Sequence, residues 1–369
     1  MLKIPDKCKA AVLEKAGSKI EIRDFTLPEK IEDNAILCRT GFSTICGSDL
    51  HTITGKRSEP VPLILGHEIT GKVVQMGQNI LNDGFGNRIN IGDRISWTIM
   101  ASCGECYYCK KGLPQKCEKL VKYGHTSINN NLNSPLLGGY GEYVYIVPGT
   151  VVFKVPDSLP DEIAAPANCA LSTVINAVDT IGIEKGDCVM VQGAGLLGLN
   201  ACALLKEAGA KEIIIADVID SRLEMAKEFG ATTAINTKNI DDAQLKKTIG
   251  DLTGGIGLDA AIEVCGFSPA VRTAVDNLRT GGRYLIAGLV TPGSLLNIDG
   301  NTVTRKYLTI KGIHNYNPEH LGKALLFLEK NHKKYLFSEI VKIRFPLTGI
   351  NDAVEAAKSG EFIRVGISF

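Results

Sequence analysis

The run Cys188-Val-Met-Val-Gln192-Gly193-Ala-Gly195-Leu196-Leu197-Gly198, continued to Ala208 and answered by Glu212-Ile-Ile-Ile-Ala-Asp217, decides the fold. The residues ending at Gln192 form an apolar strand, and Leu196 to Ala208 form a long apolar helix. Each glycine between them has a task. The first permits a tight turn, the second lets the backbone approach a pyrophosphate, and the third lets helix and strand pack closely. The helix start, with Leu196 and Leu197 in its first turn, offers free N–H groups and partial positive charge to phosphates. Three glycines alone are weak evidence, but strand, helix, spacing and a following acid all agree here, so a dinucleotide site is expected. Asp217 ends the second strand, where a carboxylate accepts hydrogen bonds from a ribose and repels a 2′-phosphate, which favours NAD over NADP. Arg222, a few residues on, tempers that preference.

Working outward, the alternation continues. A helix at 221–226 leads to a strand at Thr233–Asn236, and further strands stand at 258–264 and 283–289. Strands alternating with helices build a parallel, doubly wound sheet of the α/β class. Upstream, from Lys9 to about Val152, short β-rich runs at 35–38, 69–74, 92–97 and 142–147 are punctuated by glycine and proline. That pattern belongs to a small, mostly antiparallel β domain. Two glycine- and asparagine-rich stretches within it, 79–90 and 125–141, read as surface loops. Downstream, helices at 320–329 and 350–358 and a closing strand at 363–369 are too few for a core of their own. They are expected to fold back on the β domain. The expected organisation is a β-rich domain over 1–170, a dinucleotide-binding domain over 171–310 and a returning segment over 311–369.

Composition narrows the function. The chain has 369 residues, enough for two or three domains, and its 41 Lys+Arg against 40 Asp+Glu leave a net charge of +1. Such a balance gives no electrostatic reason to expect nucleic acid or an anionic membrane as partner. Charge and proline break the apolar run at the N-terminus, and no apolar stretch approaches the roughly 18 residues of a membrane helix. A cytoplasmic protein is expected, in which the 11 cysteines serve as thiolates for metal or as small buried residues.

Four of those cysteines, Cys103-x2-Cys106-x2-Cys109-x7-Cys117, fall within one loop-rich stretch suited to a closed tetrahedral zinc site. An iron–sulfur cluster is the rival, but in its motif the fourth cysteine comes sooner and precedes proline, whereas Glu118 follows Cys117. Lys110, Lys111, Lys116, Lys119 and Lys122 crowd the loop and read as a solvated face, or as the contacts of a zinc module on nucleic acid. A third constellation is Cys46-Gly-Ser48-Asp49-Leu-His51 with Gly66-His67-Glu68. One thiolate and one imidazole suit zinc, and a second thiolate far along the chain would complete a three-ligand set with an open position. Read from residues alone, Cys46 and His67 fit unrelated core positions equally well.

Taken in order, Cys46…Ser48…His51, Gly66-His67-Glu68, the four-cysteine loop, Cys169-Ala-Leu-Ser-Thr173, the glycine motif and Ile363-Arg364 resemble the zinc-dependent medium-chain alcohol dehydrogenase superfamily over essentially the whole chain. The resemblance implies a GroES-like catalytic domain, a Rossmann coenzyme domain with the active site between them, and a homodimer or homotetramer. It makes Cys46, His67 and Cys169 the ligands of a catalytic zinc, beside the structural zinc of the four-cysteine loop. Glu68 is similar to an acid that in some relatives visits the metal, and Asp49 to the carboxylate that orients the ligand imidazole. Ser48 and His51 resemble a proton relay, Ser48 at the alcohol oxygen and His51 toward solvent. Thr173 resembles the residue beside the nicotinamide and Arg364 the partner of the pyrophosphate, while Val264 and the turn 287–289 are expected to line the nicotinamide pocket.

The implied reaction is hydride transfer between NAD and a small alcohol or polyol, reversible to the carbonyl. Zinc brings an alcohol with a pKa of about 16 within reach of deprotonation near neutral pH. Trp97 is either a wall that limits substrate size or a core tryptophan. The segments around Cys103–Cys117, Lys122–His125 and Ala165–Cys169 resemble a subgroup associated with phosphonate breakdown. That likeness implies a hydroxyalkyl-phosphonate or similar anionic alcohol, with Arg57, Lys122 or His125 meeting its charge. Two other classes stand beside the enzyme: a silent family member that serves as a nucleotide-binding or structural protein, and a zinc module on nucleic acid. Intact ligands count against the first, and the near-zero charge against the second.

Overall fold

The computed structural model describes residues 4–369. The chain divides into two compact units. One takes in the described residues up to Ser172 with Asn317–Lys333 and Phe337–Phe369, the other Thr173–Tyr316 with Lys334–Leu336. The expected boundaries at 170/171 and 310/311 shift by a few residues for visible reasons. Helix Ala170–Ile181 runs across the first, and the last strand of the second unit, Thr309–Gly312, extends past 310. Lys334–Leu336 return to the second unit because Lys334 Nζ and Tyr335 Oη both bind Glu207.

In the first unit strand Ile36–Ile45 is central, buried along most of its length. It pairs antiparallel with Glu68–Met76 on one side and with Arg364–Ser368 and Tyr143–Ile146 on the other. The sheet continues through Arg94–Trp97 to Val152–Lys154 at one edge and to Val341–Pro346 at the other. The register is what matters for function. Thr44 stands opposite Glu68 and Ile45 opposite Val365. Three segments distant in sequence therefore deliver Cys46, the His67–Glu68 pair and Arg364 to one end of the sheet. Leu37, Val73, Trp97 and Tyr145 are fully buried beneath it, and removing such side chains from water contributes about 1.5–3 kcal/mol each. Trp97 is thus a core residue, edge-on to Tyr123 at 6.2 Å.

The stretch 125–141 corrects the expectation of a surface loop. Leu136, Leu137 and Tyr140 are at most 1 % exposed and belong to the core. Its glycines and asparagines shape turns around an apolar center rather than exposing the chain to solvent.

The second unit is a six-stranded sheet in the order Thr233–Asn236, Glu212–Asp217, Cys188–Gln192, Leu258–Glu263, Leu278–Ile286, Thr309–Gly312. Every pair is parallel. The strand expected at 283–289 begins earlier and ends at Ile286, which leaves 287–289 as a loop at its carboxyl end. The chain reverses its outward course at Cys188–Gln192, and in such sheets ligands bind at the carboxyl ends around that strand. Among the described residues no helix is long and apolar enough to cross a membrane.

Candidate active site

Helix Gly47–Ile53 starts directly after Cys46 because Asp49, its third residue, accepts a hydrogen bond from the Cys46 N–H at 2.9 Å. That capping carboxylate is fully buried and serves a second purpose. Its Oδ1 stands 3.3 Å from His67 Nδ1, and Tyr140 Oη donates to its Oδ2 at 3.1 Å. The imidazole is thereby aimed with Nε2 outward. Cys46, His67, Glu68 and Cys169 each bring a donor atom to within 4.8 Å of the others. Cys169 is held there from the preceding residue, since Asn168 Nδ2 donates to Trp97 O at 3.1 Å.

The electrostatics suit a cation. A hydrogen bond from Cys169 does most to hold the Cys46 thiol well below its ordinary value, burial opposes it, and the Arg364 charge assists. Burial works to lower His67, but Asp49 and Cys46 outweigh it and push it up to about 10. A dense knot of negative charge surrounds two sulfurs and an imidazole, the soft and borderline donors that zinc prefers.

Glu68 and Arg364 form a buried bidentate pair, with Nε to Oε2 at 2.8 Å and Nη2 to Oε1 at 2.9 Å. Thr44 Oγ1 also donates to Glu68 Oε2. The carboxylate stands in the ligand cluster with both oxygens engaged. Arg364, expected at the pyrophosphate, directs two of its guanidinium donors onto Glu68, and Nη2 lies 3.6 Å from Cys46 Sγ. The register beside Ile45 turns it toward the metal cluster, where it acts as a counter-charge.

Ser48 is half-buried, with Oγ 3.4 Å from His67 Nε2. His51 lies one turn further along the same helix and is exposed. No hydrogen bond joins the two among the described residues, so a relay through them needs an intervening hydroxyl or water.

The second cluster is self-contained. The sulfurs of Cys103, Cys106, Cys109 and Cys117 lie within 4.8 Å of one another. Cys117 Sγ accepts backbone N–H groups from Cys103 at 3.2 Å and Lys119 at 3.3 Å. Backbone N–H groups of Cys109 and Glu118 hold the Cys106 thiol down to about 6. Four sulfurs with N–H donors to thiolate fit a closed zinc site. At the base of this lobe Met100–Ala101 pairs with Val121–Lys122, Met100 opposite Lys122.

Beyond Lys122 the backbone crosses the segment leading into His67 so closely that a Cβ on Gly124 would stand 2.7 Å from Gly66 O. The His125 ring lies 5.1 Å from that of His67. Here a cavity of about 400 Å³ is lined by Arg57, Glu59, Lys122, His125, Thr126 and Ser127 among others. Glu59 Oε1 is shared between Arg57 Nε at 2.5 Å and His125 Nδ1 at 3.2 Å. Lys122 Nζ has no ion-pair or hydrogen-bond partner among the described residues. Burial, with Arg57 adding to it, lowers Lys122 to about 8.

In the parallel sheet the glycine motif forms the tight turn between Cys188–Gln192 and helix Leu196–Ala208. Gly193 has φ +107°, and a Cβ on Gly198 would meet Gly193 O at 1.8 Å, so neither position accepts a side chain. A Cβ on Gly195 would meet nothing within 4 Å, which leaves that approach open. Gly195 caps helix Leu196–Ala208. Asp217 Oδ2 accepts Ala194 N–H at 2.6 Å, and Oδ1 accepts Val218 and Ile219 N–H at 2.7 and 3.0 Å. The acid therefore braces the glycine loop from the carboxyl end of its strand. Arg222 sits in the first turn of Asp220–Glu228, Thr173 on Ala170–Ile181, and Val264 just past Leu258–Glu263. Sequence reading missed Tyr140, Thr44 and Glu263; cross-strand register sets Thr44 opposite Glu68, and backbone hydrogen bonds to Leu65 and Ala11 hold Tyr140 at the cluster.

Comparison with known proteins agrees with this geometry. Residues 32–157 match the alcohol dehydrogenase GroES-like domain and residues 197–330 the zinc-binding dehydrogenase domain. L-threonine 3-dehydrogenase of Yersinia pestis is 32% identical over 368 residues, covering 98% of this chain and 99% of the relative. An alcohol dehydrogenase from Thermotoga maritima superposes with a TM-score of 0.92 at 31% identity, over 98% of this chain and 99% of the other. Benzyl alcohol dehydrogenase from Acinetobacter calcoaceticus gives 0.85 at 26%, with the same coverage of both chains. The chain belongs to the zinc-binding alcohol dehydrogenase family, oxidoreductases that act on an alcohol with zinc and a nicotinamide cofactor.

Proposed function

We propose that the chain is an NAD-linked dehydrogenase that converts a small alcohol or polyol reversibly to its carbonyl, and that hydroxyalkyl-phosphonates or similar anionic alcohols are among its substrates. It holds one zinc at Cys46, His67 and Cys169 and a second at Cys103, Cys106, Cys109 and Cys117. The observation that carries the reading is the convergence of two sulfurs and an oriented imidazole within 4.8 Å, beside the half-buried hydroxyl of Ser48. When bound, zinc supplies Lewis acidity that makes an alcohol acidic near neutral pH, and the nicotinamide supplies a hydride acceptor.

The chain's own residues do the rest. Asp49 and Tyr140 fix the His67 ring, and Arg364 offsets the charge of Glu68 and Cys46. Ser48 takes the proton of the substrate hydroxyl and His51, exposed one turn away, passes it to water. Asp217 receives the adenosine ribose and disfavours a 2′-phosphate, which supports NAD. The anionic substrate is supported by the cavity beside His67, where Lys122 is unpartnered and Glu59 is already engaged. A homodimer or homotetramer working in the cytoplasm belongs to the same reading.

The test is metal content per subunit by elemental analysis, followed on the same sample by reduction of NAD and NADP. The panel is neutral alcohols, polyols, L-threonine and hydroxyalkyl-phosphonates. Two zincs and NAD reduction with one class support the proposal. A single zinc held by the four-cysteine lobe removes it.

A further inference from the structure

The carboxyl ends of three neighbouring strands, Cys188–Gln192, Leu258–Glu263 and Leu278–Ile286, are packed into one floor. Val264 N–H donates to Gln192 O at 3.0 Å. A Cβ on Gly193 would lie 2.9 Å from Cys265 Cβ, and one on Gly288 would lie 2.7 Å from Gly266 N. At the center of this floor is Glu263, a carboxylate with no exposure to solvent. Oε1 accepts the Gly266 N–H at 2.6 Å and Oε2 the Gly288 N–H at 2.9 Å. Its backbone carbonyl accepts Ala287 N–H as well, at 3.0 Å. One side chain thus ties the loop after the fourth strand of the sheet to the loop after the fifth. Among the described residues no cation is ion-paired with it.

A carboxylate buried without a counter-ion is costly even with an N–H on each oxygen, and a merely structural tie between two loops could be made by a neutral side chain. The charge needs a use. The dinucleotide crosses the switch point with its pyrophosphate on the glycine loop and its adenosine ribose toward Asp217. Its nicotinamide half must then lie on the other side, over loops 264–266 and 287–288, and the oxidised ring is a cation.

We propose that Glu263 is the positioning residue of the nicotinamide half: its carboxylate fixes the two loops on which that half rests, and its negative charge favours the oxidised, cationic ring over the reduced one. The inference rests on the dinucleotide reading of the glycine loop and adds a residue that selects between the redox states of the cofactor.

The test is calorimetric binding of NAD⁺, NADH and ADP-ribose to the zinc-loaded holoenzyme and to Glu263→Gln and Glu263→Asp. ADP-ribose lacks the nicotinamide and reports only the glycine loop and Asp217. An amide keeps one acceptor and turns an N–H₂ toward the other loop. Glu263→Gln is therefore expected to weaken NAD⁺ about 10- to 100-fold, the range of a lost hydrogen bond to a charged group. NADH should weaken several-fold less, and ADP-ribose by less than twofold. Glu263→Asp keeps the charge but is one methylene too short to reach both glycines. It should weaken NAD⁺ and NADH by equal factors, and it gives a second reading should the amide variant fold poorly. Equal weakening of ADP-ribose and NAD⁺ in both variants, or an unchanged NAD⁺-to-NADH affinity ratio in Glu263→Gln, overturns the inference. A wild-type protein that binds none of the three overturns the dinucleotide reading and this inference with it. Binding of ADP-ribose with no gain from the nicotinamide overturns the inference alone.

Discussion

Replacing Tyr140 by Phe removes one oxygen atom and nothing else from a site with no solvent exposure. That oxygen donates to Asp49 Oδ2 at 3.1 Å, and burial together with the Asp49 charge holds the phenol well above its ordinary value, so it remains a donor at any working pH. Without it Asp49 keeps the Cys46 N–H at 2.9 Å and the contact with His67 Nδ1 at 3.3 Å. A hydrogen bond to a buried charge contributes about 1.5–3 kcal/mol, or a factor of roughly 10 to 150. Part of that falls on folding, where about 2–4 °C of Tm is expected per kcal/mol for a unit of this size. The rest falls on the metal, because an imidazole whose supporting carboxylate is loosened binds zinc about 10–100 times more weakly. The assay is competition with a chelator, followed by elemental analysis, which separates the two zinc populations. Tyr140→Phe should lose zinc from Cys46, His67 and Cys169 at a lower chelator concentration while the four-cysteine zinc is retained. Equal loss from both sites, or a catalytic-site affinity within twofold of wild type, refutes the chain of support from Tyr140 through Asp49 to His67.

Three further outcomes are expected. Cys46→Ser should release about one zinc per subunit and lower activity to near background, and elemental analysis showing loss of both metals or of neither contradicts the two-site arrangement. Asp217→Ala should shift preference toward NADP by at least about tenfold and weaken both cofactors, because Ala194, Val218 and Ile219 lose their acceptor; an unchanged NADP-to-NAD ratio of kcat/KM contradicts its role. Lys122, lowered to about 8 by burial and by Arg57 and Lys116 against the pull of Glu59 and Cys169, carries its charge below that pH and loses it above. Affinity for methanesulfonate, an anion whose charge is constant over this range, measured by calorimetry, should therefore be flat below about pH 8 and fall toward tenfold per unit above it; a flat profile to pH 10, or one that Lys122→Arg does not flatten, excludes Lys122 as the anion's partner.

What could be read from the sequence is what depends on near neighbours along the chain. The glycine motif and the four-cysteine loop each place their groups through turns of a few residues, so spacing carries the chemistry, whereas the Cys46 to His51 run takes its roles only from the family resemblance. Helix Asp242–Thr253 was equally legible in principle, since Asp241 and Gln244 form a capping box, yet its weak apolar stripe hid it. In stretch 125–141 glycine and asparagine suggest a surface loop, while Leu136, Leu137 and Tyr140 among them belong to the core. Here composition marks the turns, while burial is decided by three apolar side chains.

The remainder was illegible because it is made by register between segments far apart in the sequence. Nothing local to Arg364 says that its strand lies beside Ile36–Ile45, and only that pairing turns its guanidinium onto Glu68, 296 residues away. A one-residue slip would send Arg364 to the opposite face and leave Glu68 buried with a lone hydroxyl donor. Breaking such a pair costs about 3–5 kcal/mol, so the pair itself selects the register that assembles the metal cluster. The same logic separates the two readings of Arg364. A residue kept for phosphate tolerates slippage until cofactor arrives, whereas one paired with Glu68 makes folding of the C-terminal strand and formation of the metal site a single event. Arg364→Met should then lower both Tm and zinc content before any cofactor is added, and a variant with wild-type zinc and Tm but poor NAD binding would return the residue to the phosphate.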